Sequence, residues 1–388
     1  MKKITNQNSR IRIRIKTKTK TKRRVNYKRS ITRKERRING GNALASGGYG
    51  CIFSPALKCA NTTRETGKQQ VSKLMLTDYA ELEYKEANKL KKILSAVPDY
   101  ENYFLLHDIT MCKPDIIPEA DLDNFTSKCT SLQKRYDINL DNINQSLDKL
   151  RILNMPNGGL TINEKASKSE MSELNDVHKS LTSLLKNGIV PMNKLNVFHC
   201  DVKDTNILID GDYNSILIDW GFAFAKKGNR IPKMLKRRPF QFNLPLSVIL
   251  LSDEFNKMAV DLKDKKQAED IVTKYKEKQG HYEYINNMIC LLNGEKDLVA
   301  GEQRYTFPIV VDFIYDILRR YSPGNVFNAT EYYNSEFIHN VDLCGFIVTY
   351  LPLIKRSDKF RVLFENHLFK SGRINIDDLY SDLEQITI

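Results

Sequence analysis

The sequence predicts an α+β fold in which a small β-rich region precedes a larger, mainly helical one. Short β-prone apolar runs are concentrated before Pro156, whereas apolar residues recur at helical spacing in most of the chain after Gly221. Between these regions, Ile207–Ile209 and Ile216–Ile218 flank a turn-rich stretch at 211–214, which predicts a β-hairpin. With 388 residues and 41% hydrophobic content, the chain is long enough to bury a core in both regions.

The β-rich region is expected at residues 42–155. It follows Gly40-Gly41 and ends where Pro156-Asn157-Gly158-Gly159 breaks the chain. A polar, cysteine-containing insertion at 113–148 interrupts it. Strands are predicted at Cys51–Phe53, Val71–Met75, Tyr103–Leu106 and Leu150–Asn154, and a helix at Asp78–Leu94.

The helical region is expected at residues 156–388, and the hairpin lies in its first part. A second insertion is expected at 255–335. Helices are predicted at Ser169–Lys186, Leu244–Lys257, Leu262–Lys278, Glu283–Leu292, Val310–Tyr321, Val341–Leu351 and Phe360–Phe369.

Residues 1–38 form a strongly basic tail. They contain 17 Lys or Arg and one acid, a net charge of +16, whereas the rest of the chain has a net charge of −2. Alternating apolar and basic residues at 11–15 are followed by alternating Thr and Lys, so a strand here would carry one wholly cationic face, and self-repulsion favours disorder. A nucleic acid, another anionic surface or an import receptor would suit this charge. A solubilising arm without a fixed partner is an equally good interpretation.

Cysteine usage and hydropathy indicate the compartment. Seven scattered cysteines without a Cys-x-x-Cys pair predict neither a disulfide framework nor a zinc site, which fits a reducing intracellular setting. The basic N-terminus has no apolar core after it, unlike a secretory signal. No membrane span is expected, because the most apolar stretch, Cys344–Ile354, is shorter than the roughly 18 residues that a span needs.

The ends of the predicted hairpin carry the chemistry. Asp201 and Asn206 precede its first strand, and Asp219 follows its second. A hairpin brings these ends together, and two acids with an amide suit a site for Mg²⁺ and nucleotide phosphates. Taken singly, each residue is also ordinary turn chemistry.

The joint pattern His199-x-Asp201-x-x-x-x-Asn206, hairpin, Asp219-x-Gly resembles the protein-kinase superfamily. This resemblance implies a bilobal fold, with a small lobe at 42–155 and a larger helical lobe at 156–388, and Mg²⁺ and ATP as cofactors. It implies that Asp201 is the general base or orients the substrate hydroxyl, and that Asn206 and Asp219 bind Mg²⁺. Lys203 would neutralise the transferring phosphoryl group, as in the Ser/Thr-specific branch, so the expected partner is a protein substrate.

A glycine-rich stretch precedes the first predicted strand. Gly47, Gly48 and Gly50 would let backbone amides approach phosphates, although a flexible linker explains such a cluster equally well. The stretch resembles the kinase glycine-rich loop, with Ala45 in place of the first glycine. The implied nucleotide-binding residues are Ala45, Ser46, Gly47, Gly48, Tyr49, Gly50 and Ile52, with Ile52 packing on adenine.

Lys73 lies on a predicted strand between apolar flanks. By the same resemblance it would bind the α- and β-phosphates, and a carboxylate must hold it in place. Glu83 on the following helix is the favoured partner, and Glu86, one turn later, is the alternative. Most lysines are solvated surface groups. A role of Lys73 in phosphate binding is favoured because its neighbours, Val71 and Leu74-Met75, are expected to be buried.

Five further features refine the resemblance. Cys200 replaces an arginine that senses phosphate on the activation loop, so activity is expected not to depend on that phosphorylation. Residues 237–245 occupy the place of a substrate-docking loop but lack Ala-Pro-Glu. Asp342 is either the buried aspartate that tethers the catalytic loop or a helix N-cap. His199 is expected to be structural, and Trp220 to be an apolar anchor.

Taken together, the motifs resemble divergent Ser/Thr protein kinases encoded by giant DNA viruses, over residues 43–360. This implies an intracellular location in a host cytoplasm or nucleus, or in the virion. Two alternatives stay open. Ile218-Asp219-Trp220-Gly221 is more typical of small-molecule phosphotransferases of the aminoglycoside or choline kinase type. The other alternative is a pseudokinase with a nucleic-acid-binding tail. Against it, the chain retains Lys73, Asp201, Asn206 and Asp219.

Overall fold

An antiparallel sheet of five strands forms the first part of the fold. The computed structural model describes residues 42–46, 49–62, 69–257 and 265–387, so the basic tail at 1–38 lies outside the described residues. The sheet order is β1-β2-β3-β5-β4, and each neighbouring pair is antiparallel. The strands are β1 Asn42–Ser46, β2 Gly50–Ser54, β3 Gln70–Leu76, β4 Thr110–Cys112 and β5 Leu150–Pro156.

Helix α1 (Thr77–Leu94) follows β3 directly and confirms the helix predicted there. Its buried residues lie at helical spacing, which is why an amphipathic pattern was visible in the sequence. The strands predicted at Cys51–Phe53, Val71–Met75 and Leu150–Asn154 are also confirmed, each slightly longer than predicted.

The strand predicted at Tyr103–Leu106 is wrong. This stretch is apolar because it is buried, but its backbone turns, and Tyr103 N donates to Tyr100 O at 3.1 Å. Leu105 N donates to Leu217 O at 3.1 Å, which connects the stretch to the later hairpin instead of the first sheet. The edge of the sheet is formed by β4, which the sequence did not reveal.

Two disulfides correct the expectation that the cysteines are unpaired. Cys51 bonds to Cys129 and Cys59 to Cys112, with Cα atoms 5.1 and 5.7 Å apart. The first fastens the insertion at 113–148, with its helices α2 (Phe125–Lys128) and α3 (Thr130–Tyr136), to β2, and the second joins the segment after β2 to β4. The paired cysteines are 78 and 53 residues apart in the sequence, so no local motif predicts either disulfide. The three remaining cysteines, Cys200, Cys290 and Cys344, are free and buried.

The predicted β-hairpin is confirmed. Strand β8 (Ile207–Ile209) pairs antiparallel with β9 (Ser215–Leu217), and Ile207 faces Leu217. Strand β6 (Leu160–Thr161) extends this sheet beside β8, and a separate pair joins β7 (Val197–Phe198) to β10 (Phe224–Ala225).

Helices dominate the remainder of the chain. In order, they are α4 Ile162–Lys168, α5 Met171–Ser183, α6 Val190–Lys194, α7 Lys266–Lys276, α8 Tyr282–Leu292, α9 Leu298–Gly301, α10 Phe307–Tyr321, α11 Ala329–Tyr332, α12 Ile338–Val348, α13 Leu351–Ile354, α14 Arg361–Leu363 and α15 Ile376–Gln385. The fold is therefore mixed α+β, with a small antiparallel sheet and a mainly helical remainder, as predicted.

Two predicted helices differ from the structure. The stretch predicted at Leu244–Lys257 consists of 3₁₀ turns at Leu246–Leu251 and Phe255–Lys257. Ser252 separates them, because its hydroxyl accepts a hydrogen bond from Phe255 N at 3.1 Å. The helix predicted at Phe360–Phe369 is the short α14 followed by a π-helical turn.

Helix α12 lies in the middle of the core. Ten of its eleven residues are buried, and His339 is the exception. Among the described residues, one helical stretch, Ala329–Ile354, is long and apolar enough to cross a membrane, but 83% of its apolar window is buried inside the protein.

The disulfides give the first testable prediction. Replacing both Cys51 and Cys129 by Ser should lower the free energy of unfolding by about 2–5 kcal/mol, because the unfolded chain loses a cross-link. Urea unfolding without reductant measures this. Cys290→Ser, at a free buried cysteine, is the control. Alkylation of the unfolded wild type should label three cysteines before reduction and seven after it; seven before reduction would contradict the pairing.

Candidate active site

A buried lysine joins the first sheet to helix α1 and to the hairpin. Lys73 on β3 places its Nζ atom 2.7 and 2.8 Å from the two carboxylate oxygens of Glu83. The same Nζ lies 3.6 Å from Oδ1 of Asp219. Because α1 starts where β3 ends, Glu83 is brought back over the strand. Glu86 pairs instead with Lys89 on the exposed face of the helix.

The charges in this cluster support one another. Burial lowers the pKa of Lys73, but the carboxylates of Glu83 and Asp219 outweigh it, so the net pKa is raised. For Asp219, burial raises the pKa, and the positive charge of Lys73, followed by those of His199 and Lys203, brings it below its ordinary value. Lys73 is therefore an ammonium and Asp219 a carboxylate at neutral pH.

The Asp201 carboxylate is held by three side-chain donors. Its Oδ2 accepts from Lys203 Nζ at 2.8 Å and from Asn206 Nδ2 at 2.9 Å. Its Oδ1 accepts from Asn243 Nδ2 at 2.9 Å. Asp201 is 5% exposed. Its two oxygens consequently have a fixed direction, as a group that orients a substrate or moves a proton requires.

Asn243 is the site residue that the sequence did not reveal. It lies in the stretch at 237–245, is 1% exposed, and also donates to Val202 O at 3.2 Å. Gly345 on α12 makes room for this contact, because a Cβ there would lie 2.5 Å from Val202 O and 3.1 Å from Asn243 O. No local pattern distinguishes Asn243 from the other asparagines, so only tertiary structure identifies it.

Asp342 fastens the loop that contains His199, Cys200 and Asp201 to helix α12. Its oxygens accept from the backbone N–H groups of His199 at 2.9 Å and Cys200 at 2.8 Å, and from Asn193 Nδ2 at 2.7 Å. Asp342 is in the interior of α12, so the N-cap interpretation is wrong. Burial raises the pKa of this carboxyl, while the charge of His199 and the three donors act in the opposite direction.

The hairpin ends meet as predicted. Ile218 N donates to Asn206 O at 2.9 Å, and His199 Nε2 lies 3.0 Å from Ile218 O. Trp220 packs edge-on against His199, with ring centroids 4.9 Å apart. Asp219 itself has a left-handed backbone, with φ 62°, which turns the chain immediately after the hairpin. Asn206, just before β8, and Asp219, two residues after β9, thus lie at the same end of the hairpin.

These oxygens fit Mg²⁺ only together with a ligand. Within the described ranges, no group of three or more His, Cys, Asp or Glu side chains could hold a metal ion. Asp219 and the amide oxygen of Asn206 provide two ligands, and Mg²⁺ is commonly held by one or two protein oxygens with substrate phosphates and waters. The donor set therefore suits Mg²⁺ with a polyphosphate and not a resident metal.

The glycine-rich stretch is described only in part. Gly47 and Gly48 lie outside the described residues, and Ala45 and Ser46 are the last residues of β1. Gly50 starts β2, where a Cβ would collide with the backbone of Leu74.

Strand β2 and the residue before it contact the site, helix α1 and the insertion. Ile52 is opposite Lys73 in the sheet. Tyr49, 43% exposed, stacks on Tyr79 with ring centroids 4.7 Å apart. Ser131 of the insertion donates to Gly50 O at 3.0 Å, so the insertion packs against the start of β2.

No protein-family model matches the sequence, and no curated protein matches it significantly. The interpretation of the site therefore depends on the geometry above.

The tether from Asp342 gives the second prediction. Asp342→Ala should lower the free energy of unfolding by about 2–5 kcal/mol, because two buried backbone N–H groups lose their acceptor. Chemical unfolding measures the loss. Asp176→Ala, at an exposed carboxylate on α5 that lies 3.5 Å from Lys179, is the control and should change the value by less than about 1 kcal/mol. Equal losses in the two variants would contradict the tether.

Proposed function

We propose that this protein is a Mg·ATP-dependent Ser/Thr protein kinase with a protein-kinase-like bilobal fold. The main support is the ion-paired cluster in which Lys73 lies 2.7 Å from Glu83 and 3.6 Å from Asp219. A lysine held between two carboxylates in this way suits a nucleotide site, where the ammonium binds phosphate and one carboxylate faces the metal. The adjacent, immobilised Asp201 supplies a group for proton transfer.

In the proposed reaction, the substrate hydroxyl oxygen forms a bond to the γ-phosphorus as the bond from that phosphorus to the β–γ bridging oxygen breaks. ADP leaves with the bridging oxygen, and the hydroxyl proton passes to Asp201. Lys203, 2.8 Å from Asp201, balances the charge on the transferring group. Bound Mg²⁺ would neutralise phosphate charge, and Asn206 and Asp219 would hold it.

Neighbouring features agree with this proposal. Cys200 is buried, and a thiol has no cationic form, so this position offers no positive charge to a phosphate on the activation loop. We therefore propose that the activity does not depend on phosphorylation of the activation loop. A host-cell location, a virion location and a nucleic-acid partner for residues 1–38 remain parts of the same proposal.

A phosphoryl-transfer assay tests the function. With ATP labelled at the γ-phosphate and mixed protein acceptors, wild type should label Ser or Thr. Asp201→Asn should reduce the rate by about 10²–10⁴-fold, because the proton acceptor is lost. Glu83→Gln should reduce kcat/KM by roughly 10²-fold, because Lys73 loses its position.

Glu86→Gln is the matched control, since Glu86 is on the same helix but pairs only with exposed Lys89. Its activity should equal that of wild type. Labelling of amino sugars or choline without labelling of protein would favour the small-molecule phosphotransferase. An Asp201→Asn variant as active as wild type would contradict the proposed chemistry.

A further inference from the structure

A cavity opens directly beside the catalytic loop. It has a volume of about 660 Å³, and Lys203, which also contacts Asp201 at 2.8 Å, is part of its wall. Helix α8, from the insertion at 255–335, forms the opposite side through Tyr284 and Met288. A molecule in this cavity would therefore lie next to the carboxylate that the proposed reaction uses.

Helix α8 is fixed to the segment that contains Asn243. His281, just before α8, donates its backbone N–H to Phe240 O at 2.8 Å. Gly280 permits this approach, because a Cβ there would lie 2.9 Å from the Pro239 side chain and 3.0 Å from Phe240 O. The wall formed by the insertion is consequently held in a defined position relative to the catalytic loop.

The cavity has an apolar lining with an aromatic cluster. The Phe242 ring lies 5.2 Å from that of His281 and 5.8 Å from that of Tyr284, measured between centroids. Tyr284 is 63% exposed, which is unusual for so large a side chain beside a cavity. Met288, Leu291 and Leu351 complete this lining. Such a surface suits a large apolar side chain of a ligand.

The charged groups at the cavity are mainly basic. Lys203 and Lys355 line it, and Asp204 is the only acid among its lining residues. Burial raises the pKa of Asp204, while the backbone N–H of Thr205 and the charges of Lys203 and Lys355 act in the opposite direction. Lys203 is already paired with Asp201 at 2.8 Å, so Lys355 is the lining cation that an anionic ligand would meet.

Two buried nitrogens, one in the cavity wall and one on the segment at 237–245, have no hydrogen-bond partner among the described residues. The Arg238 guanidinium lies 4.0 Å from the centre of the Phe222 ring, and its buried Nη2 has no hydrogen-bond partner among the described residues. The buried Nδ1 of His281 likewise has none within the part of the chain that the structure describes. Arg238 lies two residues before Phe240, whose backbone O accepts from His281 N at 2.8 Å, and His281 lines the cavity. An unpaired guanidinium N–H of this kind is satisfied by an anionic ligand.

We propose that this cavity binds the part of a protein substrate that flanks the target hydroxyl, and that it selects a segment with an acidic residue next to a large apolar one. The inference depends on the proposed kinase function, and it adds the substrate class. A volume of this size accommodates a few side chains of an extended segment. The acidic group would pair with Lys355, and the apolar side chain would pack on Phe242 and Tyr284.

Matched peptides test the proposal with the full-length protein. Each has one Ser acceptor flanked by Leu and by Glu, Gln, Lys or phosphoserine. Wild type should phosphorylate the Glu peptide with a kcat/KM about tenfold above that of the Gln peptide, mostly through KM, because the anion contributes charge-assisted hydrogen bonds. Exchanging Leu for Ala should also raise KM. A still higher value for the phosphoserine peptide would identify phosphate, instead of carboxylate, as the anion.

Lys355→Glu should abolish the preference for Glu over Gln, and Tyr284→Ala the preference for Leu over Ala. Lys359→Glu, an exposed lysine nearby in the sequence that does not line the cavity, should retain both preferences. Equal kcat/KM values for the Glu, Gln and Lys peptides would overturn the acidic preference while leaving the kinase function intact.

Binding of the same fluorescent peptides to the protein with ADP, measured by anisotropy, tests the cavity without requiring transfer. The Glu peptide should bind about tenfold more tightly than the Gln peptide, and Lys355→Glu should remove the difference. If no peptide or protein is phosphorylated, the kinase function fails, and the anisotropy result still decides the binding proposal. Equal affinities for all peptides would overturn it.

Discussion

The site depends on one buried carboxylate in the middle of the helical core. Asp342 is fully buried on α12 and accepts backbone N–H groups from His199 and Cys200. A buried carboxylate is costly unless donors surround it, and here those donors belong to the loop that precedes Asp201. The position of the proposed catalytic group is consequently defined by the packing of the core. Gly345, one turn later, lets Val202 and Asn243 approach the same helix.

An ion-paired cluster around Lys73 connects the five-stranded sheet to this core. Lys73 is only 12% exposed, and Glu83 and Asp219 compensate its burial. Removing either carboxylate would leave a buried ammonium partly unpaired, so the pairs are expected to maintain a geometry more than to add stability. Asp219, with a side chain that is 46% exposed, remains open to a ligand. Of the two carboxylates that pair with Lys73, Asp219 is thus accessible to a ligand, whereas Glu83 is largely covered.

Local signals predicted much of the fold and most of the candidate site. The apolar runs around Lys73 and in the β8–β9 hairpin were strong enough to position both, because their side-chain periodicity is local. The disulfide between Cys51 and Cys129 and the contact from Asn243 to Asp201 join residues far apart in sequence. Tyr103–Leu106 was mistaken for a strand because burial, and not strand pairing, explains its composition.

Binding of Mg·ATP, measured by isothermal titration calorimetry, tests most directly whether Lys73, Asn206 and Asp219 surround a nucleotide. Wild type should bind one equivalent, and Asp219→Asn should bind it at least about tenfold more weakly when Mg²⁺ is present. With EDTA, the same variant should bind metal-free ATP at least as tightly as wild type, because a negative charge near the phosphates has been removed. Equal affinity of wild type and Asp219→Asn for Mg·ATP, or no binding to wild type, would contradict the proposed site.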